Sequence, residues 1–192
     1  MEKEIFLSFR PEYFRPILYD IKKYEYRKRF CKEEVKAYLY LSSPVKEVIG
    51  IMYLGKPILI EKYRNFYKNK KTIYNRIDSE IKNRTKYAIP IKSFCLYEKP
   101  ITIEEIKNID EKFHVPQCYL NLENYKKVHV YLNSKNLYKA EFNNNHETIY
   151  EDNFCMSCLK MEQSNEFIKK NISYKNDEKY KYIKCGYLNN KN

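Results

Sequence analysis

Residues 20–29 read "DIKKYEYRKR", a tight alternation of tyrosine with lysine, glutamate and arginine. At a period of two, Lys23, Glu25, Arg27 and Arg29 share one face of a strand, while Tyr24 and Tyr26 share the other. A charged strand face is either solvated or it is a site. The flanking sequence decides what fold the strand belongs to.

Upstream, "SFRPEYFRPILYD" sets Phe14, Ile17 and Leu18 at helical spacing, with Pro11 near the start and Pro16 inside, which predicts a short or kinked helix. Downstream, "VKAYLYL" and "VKEVIGIMYL" are apolar and β-branched and are separated by the turn signal "SSP", so they are expected to pair. Residues 61–86 then carry Tyr63, Phe66, Tyr67, Ile73, Tyr74, Ile77 and Ile81 at spacings of three and four, the pattern of one or two amphipathic helices with a heavy basic load. "YAIPIKSFCLY" returns to strand chemistry, with Pro90 expected at an edge or a bulge. "TIEE" offers a capping box, Thr102 with Glu105, opening a helix through Ile109, and "QCYLNL" reads as a last core strand. Short strands outnumber helices, and the turn spacing favours a small, partly open barrel over a βαβ sheet.

The whole chain has 192 residues, enough for one compact domain with an appendage. After about residue 124 it becomes rich in Asn and Lys, in "NSKN", "FNNNHE" and "SYKNDEKYKY", between short apolar pieces such as "VHVYL". Only 3 Gly argue against a glycine-rich phosphate loop. The opening "MEKEIFLSFR" lacks a leader pattern and no segment approaches membrane-spanning length, so a reduced, cytoplasmic protein without a membrane partner is expected. The 37 Lys plus Arg against 25 Asp plus Glu give a formal charge of +12, which favours a polyanionic partner if the charge is clustered. The same lysines also fit a composition drifted toward Lys, Asn, Ile and Tyr.

In order along the chain, "FLSFRPEYFRPIL", "KKYEYRKR", "YLYLSSPVKEVIG", "YAIPIKSFCLYEKPITIEEI" and "PQCYLNL" resemble the ASCH (activating signal cointegrator homology) domains of the PUA-like superfamily. The family hallmark is similar to Gly-x-Lys-x-x-Glu-x-Arg; Lys22, Glu25 and Arg27 occupy its charged positions, and Asp20 stands where the glycine would be. The resemblance implies an α+β fold, a small PUA-like β-barrel flanked by helices over residues 1–125, followed by a C-terminal extension, 126–192, whose fold the sequence leaves open. It also implies a cleft similar to those that hold RNA, DNA or modified nucleotides. Members that resemble amidohydrolases or ribonucleases keep an enzyme in view, although Glu25 stands where a hydroxyl nucleophile would align.

Three functions follow as expectations. The first is nucleic-acid binding, RNA favoured over DNA, in a basic cleft lined by Lys22, Glu25, Arg27 and Ser43, with Glu25 orienting Arg27 toward a phosphate or base edge. Tyr24 and Tyr26 would offer stacking surfaces, as would Tyr38 and Tyr40, although tyrosines in a barrel also serve as packing. Lys68, Lys70 and Lys71, with Arg76, Lys82, Arg84 and Lys86, would track a phosphate backbone or form a solvated helix face. The second is a hydrolase on RNA or a modified nucleoside, with Lys22 as base and Glu25 as relay. The third is an adaptor acting through the extension. No cofactor is required, but Cys155 and Cys158 in "FCMSC", with Cys185 and His146, have the donor types for zinc; buried packing is the competing reading.

Overall fold

The computed structural model describes residues 3–145, 148–174 and 177–183, the side chains of the last three aside. An eight-stranded sheet runs in the order β2-β6-β4-β3-β1-β7, with β5 and β8 pairing outward on β6. The strands are β1 (Lys3–Phe9), β2 (Tyr24–Arg27), β3 (Val35–Leu41), β4 (Glu47–Leu54), β5 (Ile58–Leu59), β6 (Tyr87–Thr102), β7 (Tyr119–Asn121) and β8 (Phe142–Asn143). The helices are α1 (Pro11–Leu18), α2 (Glu61–Phe66), α3 (Lys71–Lys82), α4 (Ile103–Ile109), α5 (Lys126–Asn133), α6 (Cys158–Glu162) and α7 (Asn165–Tyr174). The sheet is mixed, because β1 pairs parallel with β3 while the other pairings are antiparallel. The architecture is a curled half-barrel of the α+β class.

Side-chain alternation sorts the sheet into two cores. Ile5, Leu7 and Phe9 of β1 and Ala37, Leu39 and Leu41 of β3 face α1 and the inside of the curl. Phe6, Tyr38 and Tyr40 face outward onto Ile106 of α4 and Val128 and Leu132 of α5. A third cluster joins Tyr24 and Ala88 to Ile73 and Ile77 of α3 and to Phe154 and Cys155.

The β3–β4 hairpin and the capping box form as the sequence predicts, and the strand at residues 119–121 forms too, although as a half-buried edge strand rather than a core one; Thr102 Oγ1 accepts the Glu105 N–H at 3.1 Å and Glu105 Oε2 accepts the Thr102 N–H at 2.8 Å. The basic segment makes two helices, α2 and α3. Pro90 sits where long β6 passes from β4 to β2, so its missing N–H falls at the changeover. Two elements differ from expectation. Residues 3–9, read only as an opening without a leader, form a strand inside the sheet, and "VHVYL", placed among loops, is the body of α5. The extension contributes Phe142, Phe154, Met161 and Phe167 to buried clusters.

Candidate functional site

The geometry of the charged triplet begins one turn upstream. Past the end of α1 the Pro16 carbonyl accepts the N–H groups of both Ile21 and Lys22 at 2.9 Å. Asp20 takes a left-handed φ of 58°, the conformation in which glycine is least strained, and it pairs with Lys23. The turn thus forms with aspartate in the glycine position. Lys22 does not belong to the strand; the turn swings it back over Glu25.

Lys22 Nζ lies 2.7 Å from Glu25 Oε2, and both side chains are nearly sealed, 5% and 6% exposed. Arg27 Nε is 2.8 Å from Glu25 Oε1, an ion-pair contact rather than an aligned hydrogen bond. The guanidinium also donates to the Ser8 carbonyl at 3.2 Å and approaches Cys118 Sγ at 3.4 Å, and it lies over the Phe9 ring at 5.1 Å. Lys22 Nζ sits between the rings of Phe9 and Tyr13, at 5.8 and 5.6 Å. One carboxylate therefore holds two cations, and aromatic faces shield them.

This cluster forms one wall of a cavity of about 620 Å³. Its other walls are the end of β1 (Ser8 to Arg10), Tyr40 and Ser42 at the end of β3, Glu80 and Thr85 at the end of α3, residues 115–117, and Met156, Ser157 and Cys158 of the extension. Arg10, Lys22 and Arg27 are set against Glu25 and Glu80, so the charge is nearly balanced inside rather than uniformly basic. The volume suits a small-molecule or single-nucleotide ligand.

Several expected residues lie elsewhere. Ser42 rather than Ser43 lines the cavity; Ser43 is exposed in the turn. Tyr24 is sealed, its ring edge-on to Phe154 at 5.3 Å and its hydroxyl accepting the Tyr150 N–H at 2.8 Å, so it offers no stacking face. Burial pushes its phenol up to about 12. Tyr26 does reach the cavity, yet its hydroxyl is occupied by the Cys155 N–H at 2.6 Å, and burial holds that phenol well above its ordinary value. Lys68, Lys70 and Lys71 lie at the α2–α3 junction away from the cavity, and Lys70 pairs with Glu151. Arg76 donates to the Asp152 and Glu151 carbonyls at 2.8 and 3.1 Å and Lys82 pairs with Asp78 at 2.8 Å, so part of the basic helix serves structure.

The cysteine pair divides. Cys155 packs in the third cluster, Cys158 lines the cavity, and burial pushes both thiols up. His146 and Cys185 fall outside the described residues. Among the described residues no group of three or more His, Cys, Asp or Glu could hold a metal ion. Likewise no helix among them is long and apolar enough to cross a membrane.

No family model matches the sequence, and no curated protein shows significant similarity to it. Among solved structures, a Ser-to-Ala variant of the ASCH protein from Zymomonas mobilis superposes with a TM-score of 0.53 at 20% identity, covering 70% of this chain and 98% of that one. The chain has an ASCH-like fold. The unsubstituted Zymomonas mobilis ASCH protein gives 0.49 at 21% identity over 70% of this chain and 96% of that one. Within the ASCH-like fold, the five quoted segments supply β2, β6, β7, parts of β1, β3 and β4, and the charged triplet. Glu80 and Ser157 complete the cavity from positions no local pattern marked, beside Cys158 of the "FCMSC" pair.

Proposed function

We propose that the cavity binds a nucleotide unit of a nucleic acid, with RNA favoured over DNA. The observation that carries this reading is the fixed Lys22–Glu25–Arg27 cluster on the wall of a cavity that also presents tyrosine rings. Glu25 holds the cations in register before any ligand arrives, so little ordering is left to be done on binding. Arg10, exposed at the mouth, provides a charge for a phosphate, and the cleft-side aromatic groups provide faces for a base. The ASCH-like fold supports a nucleic-acid ligand by analogy of architecture.

The test is binding of short labelled single-stranded RNA, single-stranded DNA and duplexes across a salt series, with the integrity of each followed. Affinity that weakens with salt and falls on Arg27→Ala supports the reading; no binding at low salt removes it. A charge-reversed Lys68–Lys71 block reports separately on backbone tracking outside the cavity.

One observation favours a hydrolytic variant of the same site. No hydroxyl stands at position 25, but Ser157 brings one to the cavity lining, where its Oγ also caps α6 by accepting the Lys160 N–H at 3.4 Å. If the site turns over RNA or a modified nucleoside, Lys22→Ala abolishes cleavage while the fold persists; unchanged turnover ends that variant.

A further inference from the structure

Glu80 lines the cavity and is half-buried, yet among the described residues its carboxylate makes no hydrogen bond and no ion pair. Arg76, at helical spacing from it, is engaged elsewhere, donating to the carbonyls of residues 151 and 152, and Arg84 follows the helix end in a left-handed conformation, φ 62°. Its backbone is also fixed. The Glu80 carbonyl accepts the Thr85 N–H at 2.9 Å and the Ile81 carbonyl accepts the Arg84 N–H at 2.8 Å, the paired bonds of a Schellman cap. A carboxylate in the last turn faces the negative end of the helix dipole. Among the described residues no side chain hydrogen-bonds or ion-pairs with that carboxylate, although Arg10, Lys22 and Arg27 line the same cavity. Its neighbours, Tyr26 and Cys158, are kept protonated by burial, and the Glu80 charge acts in the same direction.

A carboxylate that lines a cavity without a hydrogen-bond or ion-pair partner among the described residues is an acceptor open to donors. Resting on the nucleotide-binding reading above, we infer that Glu80 selects guanine by accepting the N1–H and the 2-amino group of its Watson–Crick edge. An ionised carboxylate is acceptor-only with two oxygens, and guanine alone of the four common bases presents two adjacent N–H donors on one edge. Adenine and cytosine each set one amino group beside an acceptor nitrogen, which the carboxylate repels. Uracil flanks its single N–H with two carbonyls. Tyr26 in the same wall supplies an apolar face next to that edge.

Labelled RNA pentamers UUXUU, with X guanine, hypoxanthine, adenine, cytosine or uracil, test this on the full-length protein at low salt. Guanine is expected to bind at least about tenfold tighter than uracil, the range for a bidentate base contact. Hypoxanthine, which keeps N1–H but lacks the 2-amino group, falls between them. Glu80→Gln replaces one acceptor by a donor and lowers the affinity for the guanine pentamer to that of the uracil one; an unshifted thermal melt shows that the variant folds. Equal binding of all five pentamers overturns guanine selection while leaving the nucleotide reading intact, and a guanine preference that survives Glu80→Gln overturns the assignment of that selection to Glu80. No binding of any pentamer by the wild type removes both.

Discussion

Glu25 is the residue on which the charged wall depends. With Lys22 and Arg27 both drawn against it and the Lys22–Glu25 pair nearly sealed from water, removing the carboxylate leaves cations whose desolvation nothing offsets. Glu25→Ala is expected to destabilise by about 3–5 kcal/mol in chemical denaturation, the range for breaking a buried pair by removing one partner. A loss below about 1 kcal/mol would place the pair with exposed surface bridges instead. Arg27→Ala should cost less, because Glu25 keeps Lys22, yet it should affect binding more. Gly50 is the second decisive residue: a Cβ there would lie 2.1 Å from the Cys95 carbonyl oxygen, at the irregularity where β4 meets β6. The neighbour is backbone and cannot turn aside, so Gly50→Ala is expected to cost about 1–3 kcal/mol or more and to lower the melting temperature.

Among elements, α4 shows how a short sequence pattern becomes stability. Its capping box satisfies N–H groups that a seven-residue helix could not otherwise pair, and Thr102→Ala should cost about 0.5–2 kcal/mol. The Thr102 N–H, foremost, holds the Glu105 carboxyl below its usual range. A depressed folded-state value stabilises above the unfolded value and is lost as the pH falls through the folded one. Thermal melts should therefore show the difference between wild type and Glu105→Gln narrowing under acid. This helix was legible because its signal is local, as were the β3–β4 hairpin and the Lys22–Glu25–Arg27 spacing. The strand at 3–9 is not legible locally: "MEKEIFLSFR" shows only the lack of a leader pattern, and the strand is defined by its pairing with β3 and β7, distant in sequence. "VHVYL" alternates like a strand, but Val128 and Leu132, four apart, form the buried face of α5. At the site, Glu80 and Ser157 lie more than fifty and a hundred and thirty residues from Glu25 in number, beyond any spacing rule. "FCMSC" did carry a signal, although its thiols diverge to the core and the cavity.

At the scale of the whole molecule, the extension is bound to the strand that bears the site. Tyr24 and Tyr26, on the opposite side of β2 from the charged residues, accept the N–H groups of Tyr150 and Cys155, Asn153 donates to the Ile21 carbonyl at 3.1 Å, and Phe154 fills the space between Tyr24, Tyr63 and Tyr67. Residues 156–158 then continue directly into the cavity wall. On the proposed function, this contact would couple stability to binding. Tyr26→Phe keeps the ring but leaves the Cys155 N–H without its acceptor, for a loss of about 1–3 kcal/mol. Phe154→Ala removes a sealed ring at the junction and is expected to cost about 3–5 kcal/mol. Because the ring sits two residues before the cavity wall, the same variant should bind nucleic acid more weakly even at temperatures where it remains folded. Denaturation and binding measured on one preparation separate the two effects. A Phe154→Ala protein that loses stability but keeps full affinity would show the extension to be a brace for β2 alone, with residues 156–158 idle in binding.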